Sequence, residues 1–313
     1  MLEPGLQRTA AASEHTDAMR QCLEGLLQML QGVEQPSHGP CCPPDSSPFL
    51  PATHTPKGKL EWVGVLEAQK VETYVAPATT ATTTTTGIVI FGDIWGYNSG
   101  RTLAVADAFA EMGYFVVVPK LLTPAFEGGT DGDGMPGSQV AKRENGWMAA
   151  TRLDLEWFKR FPWATQKSKV AAVFDWLQMQ GIEKVGTMGF CYGGHVACWA
   201  SAEHPEFIAA SFVCHPSIHV ENLFGGDALA LIRSVKCPFF IAPASSDLRD
   251  WADGSDSHLA LKASSCGGQC VLKSYPDMIH GWSIRGDLSD PTVARDVQAV
   301  MEDASRFFAT HLS

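Results

Sequence analysis

Short continuous apolar runs alternate with segments of helical periodicity through the chain after residue 86. A strand that is covered on both faces shows no polar alternation, so these runs predict buried strands. The strands are predicted at GIVIFG (87–92), YFVVVP (114–119), KVGTMGF (184–190), FIAASFV (207–213), CPFFIAPA (237–244) and CVLKSY (270–275). Helices are predicted at 100–112, 167–180, 192–202, 256–265 and 291–311. The alternation predicts an α/β fold with a mostly parallel central sheet and helices on both faces.

The region before this alternation has a different pattern. Residues 15–34 carry apolar side chains at helical spacing and predict one amphipathic helix, followed by a Pro- and Ser-rich arm. WVGVL (62–66) and VETYVA (71–76) predict a hairpin, and PATTATTTTT (77–86) predicts a surface connection of low complexity. We therefore divide the chain into residues 1–40 and a domain at 41–313.

One stretch of the domain, residues 120–166, interrupts the strand and helix rhythm. It holds the Gly- and Asp-rich EGGTDGDGMPGS and then the aromatic or apolar side chains of Trp147, Met148, Trp157, Phe158 and Trp163. Long insertions in compact domains are often functional loops, which makes this stretch a candidate lid. The alternative is a surface insertion whose aromatic side chains pack inward.

Composition removes several function classes. The 313 residues carry a net charge of −11, which argues against nucleic acid or an anionic membrane as the main partner. No apolar run of membrane-spanning length and no secretory signal is present, and nine scattered cysteines suit a reducing compartment, so we expect a cytoplasmic protein. No phosphate-binding, dinucleotide or metal motif appears, and the sequence predicts no cofactor and no metal.

GFCYGG (189–194) follows a predicted strand and precedes a predicted helix. This is the pattern of a nucleophile elbow with cysteine in the place of serine. Gly189 and Gly193 leave room for neighbouring backbone, and the helix N-terminus favours a thiolate at Cys191. The alternative is an inert buried cysteine beside a tight turn.

A nucleophile of this kind requires a base and an orienting carboxylate, in the chain order nucleophile, acid, histidine. Asp247 follows the strand CPFFIAPA, and His280 lies beyond the strand CVLKSY, so both are predicted at the edge of the sheet where such sites lie. Asp250 and Asp253 are competing carboxylates.

His195 is interpreted as a packing residue. His215 is expected to line the pocket, and it makes no metal pair with His219. The pairs Cys41–Cys42 and Cys266–Cys270 are interpreted as structural.

GFCYGG, SSD and HGW, with FGDIWGYNSGR upstream, resemble the dienelactone hydrolase family of α/β-hydrolases. The likeness runs from about residue 40 to 311, and CHPS with HGWSIRGD is similar to the eukaryotic branch. The resemblance implies the α/β-hydrolase fold and a hydrolase that opens an enol-lactone through a cysteinyl acyl-enzyme. It makes Cys191 the nucleophile, His280 the general base and Asp247 its orienting group.

Further roles come from the same resemblance. The backbone N–H groups of Ile94 and Tyr192 would form the oxyanion hole. Asp93 stands where the family has a thiol-gating glutamate, or else it is a loop carboxylate. Arg285 would hold a substrate carboxylate, or else it is a surface residue paired with Asp287, and Arg101 is a weaker candidate for that role. Trp95, Trp282 and His215 complete the predicted substrate-binding set.

The expected partner is therefore a small-molecule lactone or ester, and the protein is expected to be a monomer or a homodimer. Two alternatives remain open at this point. The protein could be a general carboxylesterase or thioesterase acting on larger apolar esters. It could also be a ligand-binding protein on a hydrolase scaffold.

Overall fold

A computed structural model describes residues 41–43, 46–79, 84–126, 129–135 and 155–312. Within them, strands form one sheet in the order β1-β2-β4-β3-β5-β6-β7-β8. The first two strands run antiparallel to their neighbours and the rest are parallel, as the sequence predicts. The strands are β1 (Lys59–Val63), β2 (Val71–Ala76), β3 (Thr86–Phe91), β4 (Phe115–Pro119), β5 (Lys184–Phe190), β6 (Ile208–Cys214), β7 (Phe239–Ala242) and β8 (Val271–Leu272).

The helices of the described residues connect these strands. Two of them begin with an aspartate whose side chain accepts backbone N–H groups of the first turn, Asp227 before α5 and Asp290 before α9. The helices are α1 (Thr102–Glu111), α2 (Trp163–Met179), α3 (Tyr192–Glu203), α4 (Val220–Leu223), α5 (Ala228–Arg233), α6 (Leu248–Trp251), α7 (Asp256–Lys262), α8 (Trp282–Arg285) and α9 (Pro291–His311).

The sheet is buried on both faces. Ile88 and Ile90 of β3 belong to one apolar layer, whereas Val89 and Phe91 belong to the other, since successive side chains of a strand point to opposite faces. Helices α1 and α9 cover the first layer, and α2 and α3 cover the second. This confirms the predicted helices on both faces and explains why the strands read as continuous apolar runs.

Two predicted strands differ from the structure at the edges of the sheet. β1 begins at Lys59, three residues before the predicted start, and its side chains are mostly exposed. CVLKSY forms a ladder only at Val271–Leu272, with one isolated bridge between Ala244 and Tyr275. Each of these strands has a single neighbour, so backbone pairing rather than apolar content sets its limits.

The aromatic residues of the interrupting stretch that the structure describes pack inward. Trp157, Phe158 and Trp163 are buried in the layer beneath α2 and α3. Trp157 Nε1 also donates a hydrogen bond to the Pro124 carbonyl at 3.0 Å. Trp147, Met148 and the predicted helix at residues 15–34 lie outside the described residues. In the part of the chain that is described, no helix is long and apolar enough to cross a membrane.

Candidate active site

Cys191 lies at the turn between β5 and α3 in a backbone conformation that non-glycine residues rarely adopt, with φ 53° and ψ −115°. The neighbouring glycines make this turn sterically feasible. A Cβ atom on Gly189 would lie 2.5 Å from the Gly193 carbonyl oxygen, and one on Gly193 would lie 2.0 Å from that of Phe91. The predicted strand, sharp turn and helix are therefore present, and the turn packs directly against the end of β3.

His280 and Asp247 form a buried pair at the same edge of the sheet. His280 Nδ1 lies 2.8 Å from Asp247 Oδ1, and Asp247 Oδ2 accepts the Ala244 N–H at 2.9 Å. The Ser246 hydroxyl accepts the His280 N–H at 2.9 Å, which joins the two loops. Of the competing carboxylates, Asp253 pairs with His258, and Asp250 lies 3.9 Å from His219. Asp247 is thus the carboxylate that orients His280.

The Cys191 thiol and the His280 imidazole are both fully buried. Burial acts to lower the pKa of His280, but the charges of Cys191 and Asp247 outweigh it and hold that pKa well above its usual value. Burial likewise acts to raise the pKa of Cys191, whereas the hydrogen bond with Cys41 and the charge of His280 lower it. Interacting groups of this kind titrate together, and the pKa of the neighbouring Cys42 thiol is also held well below its usual value, first by its hydrogen bond with Cys191. The arrangement therefore favours one thiolate among these sulfurs beside an imidazolium.

Cys41 and Cys42 are not remote structural cysteines, and that interpretation was wrong. The Cys191 Sγ lies 3.4 Å from Cys41 Sγ and 3.6 Å from Cys42 Sγ, and the two adjacent sulfurs lie 3.7 Å apart. The Ser217 hydroxyl donates to the Cys41 carbonyl at 2.8 Å and lies 3.4 Å from Cys191 Sγ. No local pattern in the sequence predicts these contacts, because Cys41 and Cys42 lie 150 and 149 positions from Cys191 along the chain.

Residues 41–43 and 46–47, which we call the cover segment, lie over the site. The Ser47 N–H donates to the His280 carbonyl at 2.7 Å, and Arg285 donates to the Ser47 carbonyl at 2.7 Å. Together with the Cys41 contacts, these bonds hold the cover segment on Cys191. A cavity of about 10 Å³ beside Asp93 and Tyr192 has room for about one water molecule.

Arg285 is buried and pairs with Asp93, so the expectation of a surface pair with Asp287 was wrong. Its Nε lies 3.0 Å from Asp93 Oδ2, an ion pair without the angle of a hydrogen bond. Asp93 also accepts the Trp95 N–H at 2.9 Å and the Ser99 hydroxyl at 3.1 Å. Burial is the main cause that raises the pKa of Asp93 to about 6, against the opposing charge of Arg285.

Arg101 points away from this pair. It donates to the carbonyls of Trp282, Ser283 and Gly286 and so binds the C-terminal end of α8. Because its two terminal guanidinium nitrogens donate to these backbone carbonyls, Arg101 stabilises the fold and is not placed to bind a substrate.

The other predicted site residues lie at different depths in this part of the structure. The N–H groups of Ile94 and Tyr192 donate to no acceptor within the described residues, as an oxyanion hole requires. Trp95 packs on Phe49, with ring centroids 5.5 Å apart, next to Arg285. His215 and Trp282 lie deeper. His215 bonds to Ser283 at 2.7 Å and packs behind His280, and Trp282 packs on Tyr275 in the layer of α1 and α9.

Comparison with known proteins agrees with the fold. The family model described as "Dienelactone hydrolase family" matches residues 71–312. Hydrolase tropI of Talaromyces stipitatus is 23% identical over 260 residues, which cover 82% of this chain and 91% of that protein. Hydrolase pyvD of Aspergillus violaceofuscus is 25% identical over 206 residues, which cover 64% and 71%. Both relatives are fungal, in keeping with the predicted eukaryotic branch.

Solved structures support the fold. The dienelactone hydrolase of Anabaena variabilis is 23% identical, with a TM-score of 0.53 over 82% of this chain and 99% of that one. The esterase Pf2001 of Pyrococcus furiosus is 15% identical, with a TM-score of 0.53 over 86% and 100%. The family match covers most of the chain and includes the elbow, the Asp247 turn and the His280 loop. This chain belongs to the dienelactone hydrolase family, a family of hydrolases.

Proposed function

We propose that this protein opens an enol-lactone or an activated ester through an acyl-enzyme on Cys191. The strongest support is the placement of a thiol at a strained elbow beside a buried imidazole that a carboxylate orients. Strain of this type persists only where the surrounding structure enforces it, and it is concentrated at functional sites.

The chemistry follows from the positions of these groups. The Cys191 thiolate attacks the carbonyl carbon, and the N–H groups of Ile94 and Tyr192 receive the resulting oxyanion. Collapse of this intermediate breaks the bond to the leaving oxygen, which takes a proton from His280. In an enol-lactone that oxygen, once protonated, leaves as an enol that stays attached to the acyl group, and His280 is left neutral. A water molecule, deprotonated by His280, then hydrolyses the thioester and restores the Cys191 thiolate.

Asp247 has a positioning role in this sequence. Its bond to Nδ1 of His280 fixes the orientation of the ring and stabilises the imidazolium that forms during transfer. The cover segment has to move before a substrate can reach Cys191, since both Cys191 and His280 are fully buried beneath it.

A carboxylesterase or thioesterase acting on uncharged substrates is the second candidate. The observation that favours it is the state of Arg285, whose charge already pairs with Asp93 and whose guanidinium donates to Ser47. A substrate carboxylate would have to compete with both partners. An apolar acyl group placed against Trp95 and Phe49 would not.

The test measures two activities in parallel, the loss of ultraviolet absorbance of a dienelactone and the release of p-nitrophenol from p-nitrophenyl acetate. The wild type is compared with Cys191→Ala and with the control Cys198→Ala, since Cys198 is a buried thiol of α3 bonded to the Leu231 carbonyl. We expect Cys191→Ala to lower kcat/KM by about 10⁴-fold or more and the control to stay within about threefold of the wild type.

The substrate pattern then decides among the candidates. Opening of the dienelactone that depends on Cys191 would support the lactone hydrolase. Cleavage of the ester alone would select the esterase. An unchanged rate in Cys191→Ala would contradict the assignment of the nucleophile, and tight substrate binding without turnover in the wild type would point to a ligand-binding protein.

A further inference from the structure

Cys41, Cys42 and Cys191 form a compact triangle of sulfurs, which we call the thiol cluster. The three Sγ–Sγ distances are 3.4, 3.6 and 3.7 Å. Among the residues that the structure describes, this is the one group of three side chains of metal-ligating type whose ligand atoms converge. The hydrolytic mechanism uses one of these thiols and leaves the other two without a role.

The triangle has the dimensions of a metal site. A zinc ion bound tetrahedrally by thiolates lies about 2.3 Å from each sulfur, which separates the sulfurs by about 3.8 Å. The observed separations are within about 0.4 Å of that value, as the distances of 3.4 to 3.7 Å show. A disulfide would require one pair at about 2.05 Å and would leave the third sulfur unused. Three nearly equal separations therefore fit a shared ion better than any one bond.

The His280 imidazole lies beside the thiol cluster and interacts with the Cys191 and Cys42 thiols, but its ring nitrogens are not within 4.8 Å of all three sulfurs. Nε2 of His280 has no hydrogen-bond partner in the described part of the chain, and its ring is fully buried. The opposite nitrogen bonds to Asp247 at 2.8 Å. A carboxylate bonded to the far nitrogen is the usual support of a metal-binding histidine, because it fixes the tautomer and raises the basicity of the ligand.

The electrostatic surroundings also suit such a site. Three thiolates and a divalent ion carry a net charge of −1, and the buried guanidinium of Arg285 interacts with the charges of all three thiols. We propose that the thiol cluster binds one zinc ion through the sulfurs of Cys41, Cys42 and Cys191, and that Nε2 of His280 moves towards the ion to become the fourth ligand. Binding displaces the protons of whichever thiols are protonated and forms three Zn–S bonds and one Zn–N bond.

A second pair of cysteines provides an internal contrast. Cys266 and Cys270 place their sulfurs 3.8 Å apart, but Cys266 donates to the Cys237 carbonyl at 2.8 Å. No third metal-ligating side chain joins this pair among the described residues. Proximity of two thiols alone does not make a site, and this pair is a matched control for the thiol cluster.

Zinc at this position would block hydrolysis, a consequence that rests on the proposed function. The ion would occupy both the thiolate that attacks the substrate and the nitrogen that transfers the proton. Binding from the cover segment would also keep that segment over Cys191. The protein would then be held inactive until a competing chelator removed the ion.

The experiment measures binding without any substrate. The full-length chain is stripped with a chelator under reducing conditions and titrated with Zn²⁺ in competition with a chromophoric chelator. A parallel titration with Cd²⁺ follows the ultraviolet charge-transfer band of cadmium thiolates. Cys42→Ser is compared with Cys270→Ser, and thermal melting of each metal-free variant verifies folding. Cys42→Ala replaces Cys42→Ser if the latter does not fold.

We expect one ion per chain, a cadmium–thiolate band, and unchanged affinity in Cys270→Ser. Loss of one ligand in Cys42→Ser should weaken zinc binding by more than the roughly 10- to 100-fold that follows loss of a second-shell partner. The inference is overturned if the wild type binds no more tightly than Cys42→Ser or if Cys270→Ser loses affinity equally. A peroxide-induced disulfide at Cys191 in a protein without zinc affinity would also overturn it.

These readouts separate this inference from the proposed function. If zinc binding depends on Cys42 but the protein hydrolyses neither substrate, the metal site is supported and the hydrolase mechanism is contradicted. If ester or lactone hydrolysis depends on Cys191 but the protein binds no zinc, the hydrolase mechanism is supported and the metal site is contradicted.

Discussion

Two buried histidines of this protein each bond to a carboxylate at almost the same distance. His280 Nδ1 lies 2.8 Å from Asp247, and His195 Nε2 lies 2.7 Å from Glu221. Both rings are fully buried, yet their pKa values move in opposite directions. The pKa of His195 is lowered, because burial outweighs the attraction of Glu221. The pKa of His280 is raised despite burial, because Cys191 adds a second negative charge to that of Asp247.

The difference therefore lies in what the second ring nitrogen faces. Nε2 of His280 is directed at the thiol cluster, whereas His195 packs between Tyr192 and Phe224. Glu221 divides its bonds between His195 and Trp199, as expected of a structural network. The sequence-based interpretation of His195 as a packing residue is confirmed. Of these two histidine–carboxylate pairs, the one at His280 stands beside thiols and the one at His195 packs between aromatic rings.

The largest expected effect tests the two carboxylates directly. We expect Asp247→Asn to lower kcat/KM by about 10³- to 10⁴-fold, because the imidazole loses the group that fixes its tautomer. The matched change Glu221→Gln should leave kcat/KM within about threefold of the wild type. Steady-state hydrolysis of p-nitrophenyl acetate measures both. Similar losses in the two variants would remove the distinction between the pairs.

A second test concerns Asp93, a buried carboxylate near the thiols that, unlike Asp247, pairs with an arginine. Arg285→Met leaves Asp93 without its ion-pair partner, and breaking a buried pair in this way typically costs about 3–5 kcal/mol of unfolding free energy. Adding Asp93→Asn should recover part of that loss. Urea unfolding of the two variants measures the difference. A double variant less stable than Arg285→Met would show that Asp93 is supported by its other bonds.

A smaller effect is expected at the structural pair. His195→Leu leaves Glu221 with one fewer partner and should lower the unfolding free energy by about 1–3 kcal/mol. Activity of the folded variant should remain near that of the wild type, because His195 touches neither substrate nor the reacting atoms. Thermal melting and ester hydrolysis on the same preparation measure the two properties. A large loss of kcat without loss of stability would make His195 part of the site.

The smallest effect concerns the pH dependence of the same variant. The pKa of His195 is lowered by folding, so below about pH 6.5 the unfolded chain binds a proton that the native state excludes. The free energy of unfolding of the wild type therefore decreases as the pH falls through this range. His195→Leu lacks this pH dependence, because it has no imidazole at this position. The stability deficit of the variant should shrink between pH 7 and pH 5. A deficit that grows in this range would mean that His195 is charged in the native state.

The residues that we propose for catalysis could be placed at one edge of the sheet from the sequence, because each has a local signal. Cys191 stands between glycines at the end of a strand, and Asp247 and His280 follow the second and third predicted strands after it. Parallel strands bring such ends to one edge of a sheet, so strand order alone places these residues together. The remaining partners had no such signal. Arg285 was expected either to hold a substrate or to pair with Asp287, and its partner is Asp93.

The sequence by itself determined the layered α/β architecture, the elbow and the order of the three residue types proposed for catalysis, since these depend on periodicity and on contacts between neighbouring elements. Only the tertiary structure decided what surrounds the nucleophile. The cover segment brings Cys41 and Cys42 within 3.6 Å of Cys191 across about 150 positions of chain. Contacts of that separation arise from how irregular chain packs on a completed sheet, and no pattern along the chain encodes them.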